Sequence, residues 1–176
     1  MREDDVRLVI GALLHDIGKV IYRTGNDSRK HSQSGADYLK DRVALSDPDV
    51  LNCVRYHHGA ALRNADIADD STAYLVYMAD NIASASDRRK KDTDERGFDI
   101  TTPLQPVFNI LNGNSQNKYY SPYLINVEKD INFPIDEKIP FDREVYRRIE
   151  DNITDNLRSL AWTDEYINSL LEILEQ

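Results

Sequence analysis

The sequence contains a single cysteine and a single tryptophan, and none of its hydrophobic runs is long. One cysteine, Cys53, cannot form a disulfide framework, and its apolar neighbours predict a buried thiol in a reducing compartment. No apolar run approaches the roughly 18 residues that a membrane span requires. Met1 is followed by the charged residues 2–5, which do not resemble a secretory leader. We therefore expect a cytoplasmic protein that does not bind a membrane.

Basic residues are outnumbered by acidic ones, 22 to 31, and the formal net charge is −9. This balance argues against broad electrostatic capture of nucleic acid. It does not exclude a nuclease, because a site that binds phosphate through divalent cations carries its positive charge on the metals. Acidity also has a simpler explanation in solubility. The length of 176 residues fits one domain, or one domain with an extension.

Helical spacing of apolar residues dominates the chain and predicts a mostly α protein. The first helix is expected to begin at Asp4 or Asp5 and to end near Tyr22, before a loop that contains glycine and asparagine. A short strand or two is expected near Tyr123–Val127. Further helices are predicted at about 30–43, 48–58, 71–88, 103–111, 142–160 and 163–175.

Polar groups interrupt the apolar helices at three places. His15 and Asp16 stand side by side in the middle of the predicted first helix, and Asp80 interrupts a second apolar helix. An ionised aspartate in such surroundings is costly unless something charged meets it. All four histidines of the chain lie in its first third, with His57 and His58 adjacent. Together these intrusions predict that the polar groups converge on bound metal.

Imidazole and carboxylate ligands together suit transition metals better than calcium or magnesium. We expect one or two divalent ions, with Mn the first choice and Ni, Co or Fe as alternatives. A carboxylate that bridges two cations roughly 3.5–4 Å apart allows in-line displacement at phosphorus. Lys19 lies on the same helical face as Asp16 and could meet a phosphate oxygen. The candidate ligands are His15, Asp16, His31, His57, His58 and Asp80, and the catalytic candidates are His15, Asp16 and Lys19.

Each of these residues also has a structural interpretation. A single histidine in a helix is often a core or surface residue, and His31 opens a helix in a polar stretch. His57 and His58 are about 100° apart on a helix, so both reach one centre only if the helix ends there, as Gly59 permits. Between the two, the apolar stripe favours His57. Taken singly, the carboxylates could form ion pairs instead, Asp16 with Lys19 or Arg23, and Asp80 with Arg55 or Arg88.

Four consecutive basic residues, Arg88, Arg89, Lys90 and Lys91, follow the helix that carries Asp80. Such a run could guide a single strand of nucleic acid past the metals. A solvated, charged linker is the alternative, and it is the interpretation that the sequence alone favours.

The motifs GALLHDIGKVIYR, VRYHH and YMADNIAS, with an HSxxGADYL segment between the first two, resemble a known family. They are similar to the N-terminal HD domain of the large subunit of type III-A CRISPR effectors, the Csm family, within the HD phosphohydrolase superfamily. The resemblance implies an HD-domain helical bundle with an α-helical C-terminal extension that contains a loop or short-strand insert. It also implies a metal-dependent nuclease that cleaves single-stranded DNA, in an assembly with CRISPR RNA and other Csm subunits. By this resemblance His15 and Asp16 are the HD pair, and Asp80 is the late aspartate.

Two features depart from the family pattern. Residues 1–14 contain no histidine, although the usual HD arrangement has one upstream of the HD pair. The chain also lacks the Gly-Gly-Asp-Asp motif of the palm that makes cyclic oligoadenylates in the full-length subunit. We therefore expect an HD metal-binding catalytic core at 1–90, a charged linker or loop at 91–97 and a mostly helical extension at 98–176 that leads to a palm domain absent from this chain. Rival functions are a non-catalytic docking module and an HD nucleotide phosphohydrolase.

Overall fold

Helices account for most of the regular structure in a computed structural model that describes residues 1–85, 102–113, 115–122 and 132–175. Those ranges contain no strand, and an isolated antiparallel bridge joins Tyr119 to Ile135. The mostly α fold expected from the sequence is confirmed. The α-helices are α1 (Glu3–Leu14), α2 (Gly18–Thr24), α3 (His31–Asp41), α4 (Pro48–Tyr56), α5 (Gly59–Leu62), α6 (Ala73–Ala85), α7 (Arg143–Arg158) and α8 (Ile167–Leu174).

Aspartate side chains cap two helices at the starts that the sequence predicts. Asp47 accepts hydrogen bonds from the backbone N–H groups of Asp49 and Val50, at 3.0 and 3.2 Å, and begins α4. Asp142 caps α7 in the same way, with two acceptor distances of 3.0 Å. Because a cap depends on neighbouring residues alone, these helix starts are set locally.

The N-terminal helices share one hydrophobic core with α7 and α8. Leu14 of α1, Leu39 of α3 and Val54 of α4 are buried together with Leu157 of α7 and Leu170 of α8. The C-terminal helices therefore cover apolar surface that the first helices would otherwise expose to water. The division of the chain at about residue 90 stays a prediction.

The single helix predicted from Asp4 to Tyr22 is wrong, because α1 ends at Leu14 and α2 begins at Gly18. In the turn between them the backbone bonds shorten to the i+3 pattern, with Ile17 N to Leu14 O at 3.0 Å and Lys19 N to Asp16 O at 2.9 Å. The HD pair therefore occupies a turn between two helices. The physical reason is a tertiary contact of Gly18, described below, which helical periodicity does not encode.

Smaller differences concern the loops. Two 3₁₀ helices, Val107–Asn109 and Leu111–Gly113, replace the short helix expected at 103–111. The short helix α5 falls in a stretch that the sequence did not mark as helical. The strands expected near Tyr123–Val127 lie outside the described residues, as does the basic run at 88–91. Within the described ranges, no helix combines the length and hydrophobicity needed to cross a bilayer.

Leu157→Ala tests whether α7 is part of the cooperative core. The side chain is fully buried, so we expect the free energy of unfolding to fall by about 2–5 kcal/mol. The matched control, Leu75→Ala, removes a side chain that is 53% exposed on α6 and should cost about 0.5 kcal/mol or less. Guanidinium unfolding followed by circular dichroism measures both, and equal losses for the two variants would contradict the shared core.

Candidate metal centre

Four separate segments carry the polar side chains that the sequence predicted to converge. His15 and Asp16 lie in the α1–α2 turn, and His31 is the first residue of α3. His57 directly follows the last residue of α4, His58 comes next in extended conformation, and Asp80 lies within α6. The structure brings all six side chains into one cluster, with the contacts given below.

A close approach of two backbones sets the position of His31. A Cβ atom on Gly18 would overlap the carbonyl oxygen of His31 and lie 2.8 Å from the backbone nitrogen of Gly35. A Cβ on Gly35 would lie 2.9 Å from the backbone nitrogen of Gly18. Only glycine fits at both positions, so α2 and α3 touch where His31 meets the HD turn. Sequence reasoning missed this pair, although the glycines of the HDIGK and HSxxG motifs were its signal.

The carboxylate of Asp16 lies between two sets of nitrogen atoms. Its Oδ1 is 3.3 Å from Nε2 of His31 and 3.7 Å from Nε2 of His57. Its Oδ2 is 3.3 Å from Nε2 of His15 and 2.5 Å from Nζ of Lys19. Each oxygen therefore faces a different group of potential partners, which is the arrangement that a bridging carboxylate requires.

Three imidazole rings meet on the Oδ1 side. Nε2 of His31 is 2.9 Å from Nε2 of His58 and 3.3 Å from Nε2 of His57. One nitrogen atom from each of the three rings can be chosen so that all lie within 4.8 Å of one another. Neutral imidazoles have a single N–H each, so nitrogen lone pairs converge here, and a cation is the species that such a group can hold.

Backbone carbonyl groups orient the imidazole rings of His15 and His57. Nδ1 of His15 lies 2.7 Å from the carbonyl oxygen of Ala12, and Nδ1 of His57 lies 2.7 Å from that of Val54. A carbonyl only accepts, so both Nδ1 atoms carry the proton and donate it. In His57, which is neutral, this leaves a lone pair on Nε2 that faces Asp16, as in metal-ligating histidines, whereas Nε2 of His15 donates to Asp16. The donor set therefore fits a bound transition metal.

Electrostatics place Asp16, His57 and His58 in the forms that bind a cation. Burial opposes ionisation of Asp16, but hydrogen bonds from His15, His31 and Lys19 outweigh it and hold the pKa of this carboxyl well below its usual range. Burial lowers the pKa of His57 to about 4, so this imidazole is neutral at pH 7. Burial also lowers the pKa of His58. Ionised carboxylate and neutral imidazole are the forms that bind a cation.

The Oδ2 side of the cluster is more open. Oδ1 of Asp80 is 3.8 Å from Nε2 of His15, and the hydrogen bond to Asp16 raises the pKa of His15. The side chain of Asp80 is 30% exposed and that of Lys19 is 50% exposed. This side could hold a second cation, and it is the side from which a substrate could enter.

The same contacts decide three of the four ion-pair alternatives. Asp16 pairs with Lys19 as well as with the histidines, whereas Arg23 lies over the ring of Tyr146, 5.5 Å from its centroid. Arg55 pairs with Asp37 at 2.6 Å rather than with Asp80. His31, the weakest candidate by sequence, lies at the centre of the cluster, and His57 and His58 both reach it. Arg88, Arg89, Lys90 and Lys91 fall outside the described residues, so neither their nucleic-acid role nor a pair with Asp80 is tested.

Comparison with protein families identifies the class of this site. Residues 1–85 match the model of the HD domain. That range contains the whole polar cluster, from the HD turn to Asp80. The N-terminal part of the chain is therefore an HD domain, as the HDIGK motif indicated.

Individual relatives indicate which family of HD-domain proteins the chain resembles. The chain is 33% identical to the "CRISPR system single-strand-specific deoxyribonuclease Cas10/Csm1 (subtype III-A)" of Mycobacterium tuberculosis, over 97% of this chain and 24% of that protein. The crystal structure of Csm1 from T. onnurineus superposes with a TM-score of 0.68 at 24% identity, over 99% of this chain and 24% of that one. A Csm1–Csm4 subcomplex structure gives a TM-score of 0.63 at 23% identity, over 96% of this chain and 23% of that one. The two structures support the fold alone.

The chain belongs to the Cas10/Csm1 family of HD-domain proteins, as the sequence motifs indicated. It spans about a quarter of the length of the relatives that it matches, 24% for the protein from M. tuberculosis. The family is thus established for this chain, whereas the activity and partners of a whole relative are properties of a longer protein.

Gly18→Ala tests the backbone contact that positions His31. The added methyl group collides with main-chain atoms of α3, so α3 must move away from the HD turn. We expect Mn²⁺ affinity, measured by isothermal titration calorimetry, to fall by about 10- to 100-fold, the range seen when the support of a metal ligand is lost.

The control is Gly113→Ala, where φ is +74° and none of the described residues has an atom within 4 Å of the added methyl group. It should lower stability by roughly 1–2 kcal/mol through backbone strain and leave Mn²⁺ affinity unchanged. Wild-type affinity in Gly18→Ala would contradict the positioning role of this glycine.

Proposed function

We propose that the chain is a metal-dependent phosphodiesterase that cleaves single-stranded DNA, as the HD nuclease domain of a type III-A CRISPR effector large subunit. The observation that carries the proposal is the position of Asp16, with one carboxylate oxygen facing His31 and His57 and the other facing His15 and Lys19. A cluster of this kind suits hydrolysis at phosphorus, because one carboxylate can serve two cations.

The ligand set divides naturally around Asp16. His31, His57 and His58 would hold a cation on the Oδ1 side, and His15 and Asp80 would hold one on the Oδ2 side. When bound, such cations lower the pKa of a coordinated water and neutralise the charge on the phosphate. Mn is our first choice and Ni, Co or Fe are alternatives, because mixed imidazole and carboxylate donors suit these metals.

Three histidines downstream of the HD pair can replace the upstream histidine that the usual HD arrangement has and this chain lacks. Residues 1–14 have none, but His31, His57 and His58 supply imidazole nitrogens on the buried side of Asp16. The ligand count is therefore sufficient without an upstream residue. This abundance of donors supports an active site over a purely structural HD module.

Lys19 supplies the chain's own positive charge at the site. Its ammonium group is 2.5 Å from Oδ2 of Asp16, and half of the side chain is exposed. It can therefore reach a non-bridging phosphate oxygen while still paired with the carboxylate. In the hydrolysis that we propose, a water molecule loses a proton as its oxygen bonds to phosphorus, the P–O bond to the leaving sugar oxygen breaks, and that oxygen takes up a proton.

The substrate and the assembly rest on the relatives. The protein from M. tuberculosis is named a single-strand-specific deoxyribonuclease, and one structural neighbour is a complex with Csm4 "in the type III-A CRISPR-Csm interference complex". We infer that this chain acts on single-stranded DNA, and that it does so beside a palm domain, other Csm subunits and CRISPR RNA. The basic run at 88–91 is proposed to guide the strand to the metals.

Asp16→Ala tests the proposed chemistry. We expect cleavage of a labelled single-stranded oligonucleotide with Mn²⁺ to fall at least about 100-fold, because loss of a bridging ligand exceeds the 10- to 100-fold cost of losing an outer contact. Helix content by circular dichroism should stay close to wild type, because removing the carboxylate also removes its desolvation cost.

Asp155→Ala is the matched control, since this aspartate is on the exposed face of α7, and it should cleave like wild type. Cleavage of free nucleotides in preference to the oligonucleotide would favour a nucleotide phosphohydrolase. If wild type leaves single-stranded DNA intact with Mn, Co, Ni and Mg, a docking module replaces the nuclease.

A further inference from the structure

A cleft of about 440 Å³ opens between α5 and α6. Two half-buried tyrosines, Tyr74 and Tyr77, stand on α6, and Arg63 follows α5. The remaining walls are small or apolar, so the cleft combines aromatic surface with one cationic side chain. Its lining consists of Gly59, Ala60, Leu62, Arg63, Ala65, Tyr74 and Tyr77.

The cleft is joined to the metal centre at both walls. His58 directly precedes α5, and the first residue of that helix, Gly59, lines the cleft. On the opposite wall, Tyr77 precedes Asp80 by three residues in α6, so their side chains are neighbours on one helix face. A group bound in the cleft therefore lies beside a phosphate held at the centre.

The ring of Tyr77 packs against the backbone of Gly59. A Cβ atom on Gly59 would lie 3.2 Å from the hydroxyl oxygen of Tyr77 and 3.3 Å from its Cε2. Such distances are shorter than an ordinary van der Waals contact, so the ring can pack this closely because residue 59 is a glycine. The ring is thereby held in place before any ligand arrives, which lowers the entropy cost of stacking against it.

Charge distinguishes this cleft from a larger one beside α2 and α7. The lining between α5 and α6 includes Arg63 and no carboxylate, and no described carboxylate forms an ion pair with Arg63. The cleft of about 540 Å³ beside α2 and α7 includes Asp27 and Asp142 in its lining. Of these two clefts, as lined by the described residues, the smaller offers aromatic rings and a cation without an acidic group that would repel phosphate.

We propose that the cleft between α5 and α6 binds the base of the nucleotide next to the scissile phosphate of a single strand. Tyr74 and Tyr77 supply surface for stacking, and Arg63 pairs with the phosphate on the far side of that nucleotide. Stacking on tyrosine accepts every base, because each base has a π-face. The subsite rests on the proposed nuclease function and specifies how the strand is bound beside the metal centre.

The test combines removal of a ring with removal of a base. A single abasic position is moved along a labelled single-stranded oligonucleotide, and kcat/KM with Mn²⁺ is measured at each position for wild type, Tyr74→Leu and Tyr77→Leu. In wild type, an abasic site at one position beside the cut should reduce kcat/KM by about 5- to 150-fold, the range for stacking of one base. In both leucine variants an intact oligonucleotide should show a similar loss, and the abasic position should cost little more.

Controls separate this outcome from misfolding and from failure of the nuclease. Tyr77→Phe keeps the ring and should retain the wild-type abasic profile, and Tyr166→Leu removes a tyrosine that is 43% exposed beside α8 and should also match wild type. If wild type cleaves but shows no sensitive abasic position, or if that sensitivity survives in both leucine variants, the subsite is wrong and the nuclease stands. If wild type does not cleave any oligonucleotide, the proposed function fails and the subsite fails with it.

Discussion

The contact of α2 with α3 at Gly18 and Gly35 is the constraint on which the site depends. Neither residue has a Cβ atom, so the two backbones touch, and a methyl group at either position would collide with main-chain atoms. The contact places His31 against the carboxylate of Asp16. It also accounts for the break between α1 and α2, because a continuous helix would carry Gly18 past its partner. The interruption between α1 and α2 thus accompanies the close approach of ligands from separate helices.

The position of Asp16 among imidazoles also explains how an acidic protein can attract a negatively charged phosphate. The chain carries a formal net charge of −9, so its surface as a whole repels a phosphate backbone. Inside the cluster the aspartate is kept ionised by hydrogen bonds, and burial keeps His57 neutral. An ionised carboxylate beside neutral nitrogen donors attracts a cation, and a bound cation in turn attracts phosphate. The acidic composition and a phosphodiesterase function are therefore compatible, because attraction of the substrate is local: it would come from bound metals, from Lys19, and from Arg63 and the basic run at 88–91, which we propose to contact the strand.

Much of this arrangement could be predicted from the sequence where local chemistry decides it. Asp47 followed by proline predicts the start of α4, and polar groups in apolar helices predict that His15, Asp16 and Asp80 meet in the interior. What the sequence could not supply depends on contacts between distant segments. The helix break at the HD turn follows from the packing of Gly18, and the importance of His31 follows from where α3 is placed. The orientation of the imidazoles depends on carbonyl acceptors, which every residue has and no motif reveals.

The central claim is that Asp16 shares cations with the surrounding histidines, and the most direct measurement is an anomalous difference map from crystals grown with Mn²⁺. The account predicts a peak about 2 Å from the carboxylate of Asp16 and from Nε2 of His31 or His57. A second peak between Asp16, His15 and Asp80 would mark a two-cation centre. Anomalous peaks that lie only at other carboxylates, with none beside Asp16, would contradict the account.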